Sequence, residues 1–212
     1  MANSFDSLDN LETSLRKSSV IQERMNLVST HMYKQFLEYQ HSNLNMAEMF
    51  VKMIDNMHTT VEYLKQSFTA RGLSTQNIYY EVDPLKTIAT LNILWHTISF
   101  TTNYNDKPQA LYRENEIPLF SGRIIALNGK YSDIIQKKQD ETMQHILDHE
   151  VASLYVPAEK TQSAIIKIKH LGNKEFYINQ MDASREFLLK VIETICGGGL
   201  YHEEIIKRNL GF

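Results

Sequence analysis

The sequence predicts an α+β fold, in which an N-terminal long antiparallel helical hairpin is followed by an antiparallel β-sheet body covered by two or three helices. No glycine or proline occurs before Gly72. Helix interiors exclude both residues, because glycine costs backbone entropy and proline removes a hydrogen-bond donor. After Gly72 the chain changes to short segments rich in β-branched and aromatic residues, which turn residues separate. The predicted domains are residues 1–72 and 73–212.

Apolar residues recur at steps of three and four along both helices of the predicted hairpin, which places them on one face of each helix. Residues 41–45 separate the two helices. Asn45 followed by Glu48 is typical of a helix N-cap with its reciprocal partner, and Gly72 suits a left-handed helix end. The first apolar stripe comprises Leu8, Leu11, Leu15, Ile21, Met25, Val28, Met32, Phe36 and Tyr39, and the second comprises Met46, Phe50, Met53, Met57, Val61, Leu64 and Phe68.

The second stripe supplies the predicted interface. Methionine is flexible and polarisable, so it suits both irregular packing and adaptable binding surfaces. The stripe therefore has two interpretations: ordinary packing within the chain or a homodimer seam, and a groove for a partner helix or an apolar ligand. The residues predicted to associate are Met46, Phe50, Met53, Met57, Leu64 and Phe68.

The body begins with a predicted strand over residues 77–82. Residues 87–102 fit either a strand or a helix. Asp83-Pro84 suits the start of a helix, but the β-branched and aromatic content and the partial alternation favour strands. We predict strands there.

Two hairpins are predicted beyond this point from turn residues that tolerate positive φ. Two helices are predicted from apolar residues at helical spacing. The hairpins span residues 123–135 about Asn128-Gly129 and 164–179 about Gly172-Asn173, and the helices span 136–154 and a segment capped by Asp182 that ends before Gly197.

Composition argues against several classes of protein. The chain has 212 residues and a net charge of −3, from 22 basic and 25 acidic side chains. Nucleic-acid-binding proteins usually carry a basic face, so nucleic acid is not an expected partner. The N-terminus lacks the pattern of a secretory signal, and the longest uncharged stretch is too polar for a membrane span. We expect a soluble, cytoplasmic protein without a cofactor or a membrane partner.

Glu141, His145 and His149 form a weak candidate metal site. Their spacing by four places them on one ridge of the predicted helix over residues 136–154, and imidazole and carboxylate groups are zinc ligands. The ridge lies opposite the apolar face of that helix. A solvated polar face is therefore the alternative interpretation.

Lys167, Lys169 and Lys174 form a weak candidate nucleic-acid contact on the second hairpin. Strand alternation places Lys167 and Lys169 on one outward face. Lysines on edge strands also prevent aggregation. The single cysteine, Cys196, ends a helix, where the helix dipole raises the thiol pKa and argues against a nucleophilic role.

No stretch carries a catalytic constellation. We expect a non-catalytic interaction or regulatory protein that self-associates through the Met-rich hairpin and presents the α+β body to another protein. One alternative is a sensor of an apolar small molecule with a Met-lined helical pocket. A second is a metal-dependent protein that uses the histidine ridge.

Overall fold

The computed structural model describes residues 5–103, 121–136, 146 and 148–197, with side chains from residue 19 onward except that of His170. The chain divides into two compact units, Met1–Glu38 and Tyr39–Phe212. This division lies at residue 38, whereas the predicted domains were 1–72 and 73–212. The division at residue 72 stays a prediction.

The first element is one helix, α1, which extends over Phe5–Thr69 and has 65 residues. The predicted hairpin is therefore wrong, because residues 41–45 are helical. Asn45 does not cap a helix. Its side-chain amide instead donates to the carbonyl oxygens of Pro157 at 3.1 Å and Ala158 at 2.7 Å. Gly72 follows the helix with a φ of 70°, as its position predicts.

The described residues contain one seven-stranded antiparallel sheet in which every strand pairs with its neighbours in sequence. The mixed α+β class is therefore confirmed. Residues 87–102 form two strands rather than a helix, and Leu94 adopts a φ of 58° in the turn between them. The strands are β1 (Ile78–Val82), β2 (Ile88–Ile93), β3 (His96–Thr101), β4 (Ser121–Asn128), β5 (Glu150–Pro157), β6 (Ala164–Ile168) and β7 (Lys174–Ile178).

Two of the predicted elements in the body differ from the structure. The first predicted hairpin has no return strand, because helix α2 (Tyr131–Gln136) follows β4. The predicted helix over 136–154 is wrong at its end, since β5 begins at Glu150. All eight residues of β5 are buried, and a strand covered on both faces shows no alternation from which it can be recognised.

The second predicted hairpin is present as β6 and β7, with Ile166 opposite Phe176. A short 3-10 helix over Lys169–Leu171 connects the strands. Gly172 and Asn173 follow with φ angles of 70° and 62°. The turn residues therefore predicted the connection, although it is longer than a two-residue turn.

The main core lies on one face of the sheet, where it includes residues of α1 and of helix α3 (Gln180–Cys196). The rings of Phe100 on β3 and Phe187 on α3 meet edge to face, with centroids 5.9 Å apart. Asn179 caps α3, because its side chain accepts from the Met181 N–H at 3.0 Å. The cap therefore lies three residues before Asp182, the predicted cap. A smaller core cluster includes Ile125, Leu127, Tyr131, Ile134 and Ile146.

Candidate interaction surface

Residues 19–38 of α1 expose many large apolar side chains. Within this segment the exposed fraction ranges from 46% to 67%. Isolated exposed apolar residues are normal on protein surfaces, but a continuous row of them usually marks an interaction site. The exposed apolar residues are Val20, Ile21, Met25, Leu27, Val28, Met32, Tyr33 and Phe36.

Five of these residues form one stripe along the helix. Successive members are separated by three or four residues, so at 100° per residue they share one face. The acidic and basic residues of the segment, Glu23, Arg24, Lys34 and Glu38, all lie outside this face. We call the five residues the exposed stripe: Ile21, Met25, Val28, Met32 and Phe36.

The predicted interface residues lie elsewhere, inside one copy of the chain. Met46, Phe50, Met53 and Met57 are between 0% and 7% exposed and belong to the main core. Leu64 and Phe68 are half-buried and pack against that core. A side chain that is fully buried in one copy has no surface to offer a second copy. In one copy of the chain, the second stripe therefore packs inside the main core or against it.

The candidate metal ligands are only partly within the described residues. Glu141 and His145 lie outside them. His149 is half-buried in the turn before β5, where its carbonyl oxygen accepts from the Asn128 N–H at 2.9 Å. Among the residues that the structure describes, no group of three or more histidine, cysteine, aspartate or glutamate side chains is placed to hold a metal ion.

The three candidate lysines do not share one face. Lys167 pairs with Glu175 across β6 and β7 at 3.4 Å, and both side chains are largely buried. Lys174 is opposite Ile168 in the register, so strand alternation places it on the other face of the sheet. Lys169 is exposed in the 3-10 helix rather than in the strand. The predicted common face of Lys167 and Lys169 is therefore not formed.

A buried ionic cluster in β4 and β5 is a site that sequence reasoning missed. The Arg123 guanidinium donates to Ser153 Oγ at 2.9 Å and to Glu150 Oε1 at 2.5 Å. It also lies over the Tyr155 ring, 5.6 Å from the centroid. The sequence feature that could have indicated this cluster is a charged residue between uncharged ones in a strand, as in Gly122–Arg123–Ile124. A buried pair of this kind is better evidence of a fixed register than of a reactive site.

The pKa shifts of two carboxyl groups also have structural causes. Burial raises the pKa of Asp83, but hydrogen bonds from the N–H groups of Ile88, Thr87 and Leu85 outweigh it and hold the pKa below its ordinary value. The hydrogen bond from Lys160 Nζ, at 2.9 Å, lowers the pKa of the exposed Glu48. Asp83 stabilises the fold by closing the turn between β1 and β2, whereas the pair of Glu48 with Lys160 is exposed.

Burial raises the pKa of the Cys196 thiol. The sequence predicts a shift in the same direction, and burial of the thiol is its cause in the structure. A raised thiol pKa disfavours the reactive thiolate. The thiol therefore offers no support for nucleophilic chemistry.

Comparisons with protein-family models, curated proteins and solved structures found no significant match for the chain. No helix of the described residues is long and apolar enough to cross a membrane.

Proposed function

We propose that the protein is a non-catalytic interaction protein that self-associates through the exposed stripe of α1. The observation that carries the proposal is a row of five apolar side chains, each about half exposed in the single chain. The segment involved is residues 19–38, which replaces the second stripe as the proposed seam. The α+β body then presents a recognition surface to another protein.

The size of the stripe predicts weak, reversible association. Burying a large apolar side chain fully contributes about 2 kcal/mol, so covering one that is half exposed contributes about 1 kcal/mol. Five such side chains on each of two copies therefore contribute about 10 kcal/mol. Loss of translational and rotational freedom costs at least about 4 kcal/mol. The remainder, about 6 kcal/mol at most, corresponds to a Kd of about 40 µM at the tightest.

The alternative of an apolar-ligand sensor has less support. Met46, Met53 and Met57 fill the main core. A surface cleft beside Met49 and Met181 has a volume of about 90 Å³, whereas ligand pockets usually measure about 300–1,000 Å³.

Sedimentation velocity of the full chain tests the proposed function. Measurements should span concentrations from about 5 to about 500 µM, because the expected Kd lies in that range. We expect the wild-type protein to shift from monomer to dimer. The variant Met25→Glu/Met32→Glu should stay monomeric, because both substitutions place a charge in the centre of the stripe and neither touches the core.

Leu27→Glu is the matched control. Leu27 is 67% exposed, but it lies about 140° from the centre of the stripe by helical geometry. The Leu27→Glu variant should dimerise with the same Kd as the wild-type protein. A wild-type protein that stays monomeric up to the highest concentration would refute self-association, and equal dimerisation of the Met25→Glu/Met32→Glu variant would refute the stripe as the seam.

A further inference from the structure

We infer that the occupant of the exposed stripe is a second copy of this chain in antiparallel orientation, with Arg24 of each copy facing Glu38 of the other. The inference rests on the proposed function, because it specifies the orientation and register of the same association. It is carried by a second observation, the position of the charges beside the stripe.

The first four residues of the exposed stripe follow a heptad pattern, in which core positions a and d alternate at steps of four and three, and Phe36 lies at the neighbouring e position. Residues at the g positions flank the core on one side, and their charges favour one partner and one orientation over others. Met25 and Met32 occupy a positions, Ile21, Val28 and Gln35 occupy d positions, and Arg24, His31 and Glu38 occupy g positions.

In an antiparallel pair, each a residue lies against a d residue of the second copy. The register centred near residue 30 places Met32 against Val28 and Met25 against Gln35 of the second copy. Positions g then face each other across the seam. Arg24 faces Glu38 of the second copy, and by symmetry this pair occurs twice.

Other arrangements lack this complementarity. In a parallel pair, g residues face e residues, so Arg24 would face Ser29 and Glu38 would face Asn43. An antiparallel register shifted by one heptad would place Arg24 opposite His31. Of these three arrangements, the register centred near residue 30 alone places Arg24 opposite an acidic side chain.

The two charges cannot pair within one chain. Arg24 and Glu38 lie 14 residues apart in α1, a separation of about 21 Å along a helix. Any energetic coupling between them therefore reports contact between two copies. This makes charge exchange a direct test of the register.

The test measures the dimer Kd of the full chain by sedimentation equilibrium. Arg24→Glu and Glu38→Arg should each raise the Kd several-fold, because each places like charges together twice. The double variant Arg24→Glu/Glu38→Arg should return to within about twofold of the wild type, since the opposite charges are only exchanged. Higher salt should reduce these differences.

A distance measurement tests the orientation independently. A spin label at Ser19→Cys, in a Cys196→Ala background, reports the separation of the two Ser19 positions. The inferred register places them 22 residues apart along the seam, about 33 Å. The register shifted by one heptad gives about 22 Å, and a parallel pair brings the helices side by side at roughly 10 Å.

The outcomes separate this inference from the proposed function. A wild-type protein that stays monomeric refutes the proposed function itself. A dimer in which the double variant is no tighter than the single variants, or in which the labels lie near 10 or 22 Å, overturns the register and leaves self-association standing. Restored affinity with a distance near 33 Å supports both.

Discussion

Replacing Gly122 with alanine should push α1 away from β4 at the point where Ser42 and Met46 contact Gly122. A Cβ atom at this position would lie 2.5 Å from Met46 Cβ and 2.6 Å from the carbonyl oxygen of Ser42. Contacts this short force something to move, and the carbonyl belongs to the backbone of α1. Overpacking of this kind destabilises proteins by about 1–3 kcal/mol. We expect about 2–3 kcal/mol, because both contacts are with a helix that is fixed along the core.

Urea unfolding followed by far-UV circular dichroism measures this loss in the free energy of unfolding. Gly172→Ala is the control, since a Cβ there has no neighbour within 4 Å and the residue has a φ of 70°. Its cost should be only the left-handed strain, about 1–2 kcal/mol. A Gly122→Ala protein within about 0.5 kcal/mol of the wild type would refute close packing of α1 on β4, because that change is no larger than a neutral surface substitution.

Three further changes test other parts of the structure by urea unfolding. Phe50→Ala should lose about 3–5 kcal/mol because Phe50 is fully buried, and a loss below about 1 kcal/mol would contradict its place in the core. Arg123→Met should lose about 3 kcal/mol because the buried Glu150 loses its cation, whereas Arg185→Met, at an exposed pair, should change stability by less than about 0.5 kcal/mol. Asp83→Asn should lose about 1 kcal/mol at pH 7. The folded Asp83 pKa is depressed, so its stabilisation is present above the ordinary carboxyl pKa and is lost as the pH falls through the folded pKa. The difference between Asp83→Asn and wild type should therefore shrink as the pH falls below the ordinary carboxyl pKa of about 3.9, and a constant difference would contradict this account.

The sequence predicts the α+β class because glycine, proline and β-branched residues act locally. Turn residues such as Gly172 and Asn173 need positive φ, and that need is independent of the rest of the fold. Strand content over residues 87–102 follows from the same local preferences. These parts of the fold could therefore be predicted without tertiary information.

The hairpin was predicted wrongly because a tertiary contact replaces a local one. Asn45 suits an N-cap, yet its side chain bonds the carbonyl oxygens of Pro157 and Ala158, which lie more than a hundred residues away in sequence. The Ser42 hydroxyl donates to the Tyr39 carbonyl oxygen within the helix, at 2.9 Å. Local propensity cannot anticipate the two distant partners of Asn45, whereas the Ser42 bond is a local one that keeps serine inside a helix.

The candidate interaction surface could likewise be predicted only in part from the sequence. Both stripes of α1 have the spacing of a packed helix face, so the sequence identifies the two faces but not that the second one is buried within one copy of the chain. The second stripe is covered in part because Gly122 permits the close approach of the backbone around Met46. The exposed stripe has no such partner among the described residues of its own compact unit.

Hydrogen exchange at low and high protein concentration tests the central claim most directly. If two copies cover the exposed stripe, amides of residues 19–38 should exchange more slowly at a concentration above the dimer Kd than below it. Peptides that contain Phe50 and Met53 should not change, because the core buries them in one copy. Protection that stays constant over residues 19–38 while the mass doubles would contradict the account, since the copies would then meet at another surface.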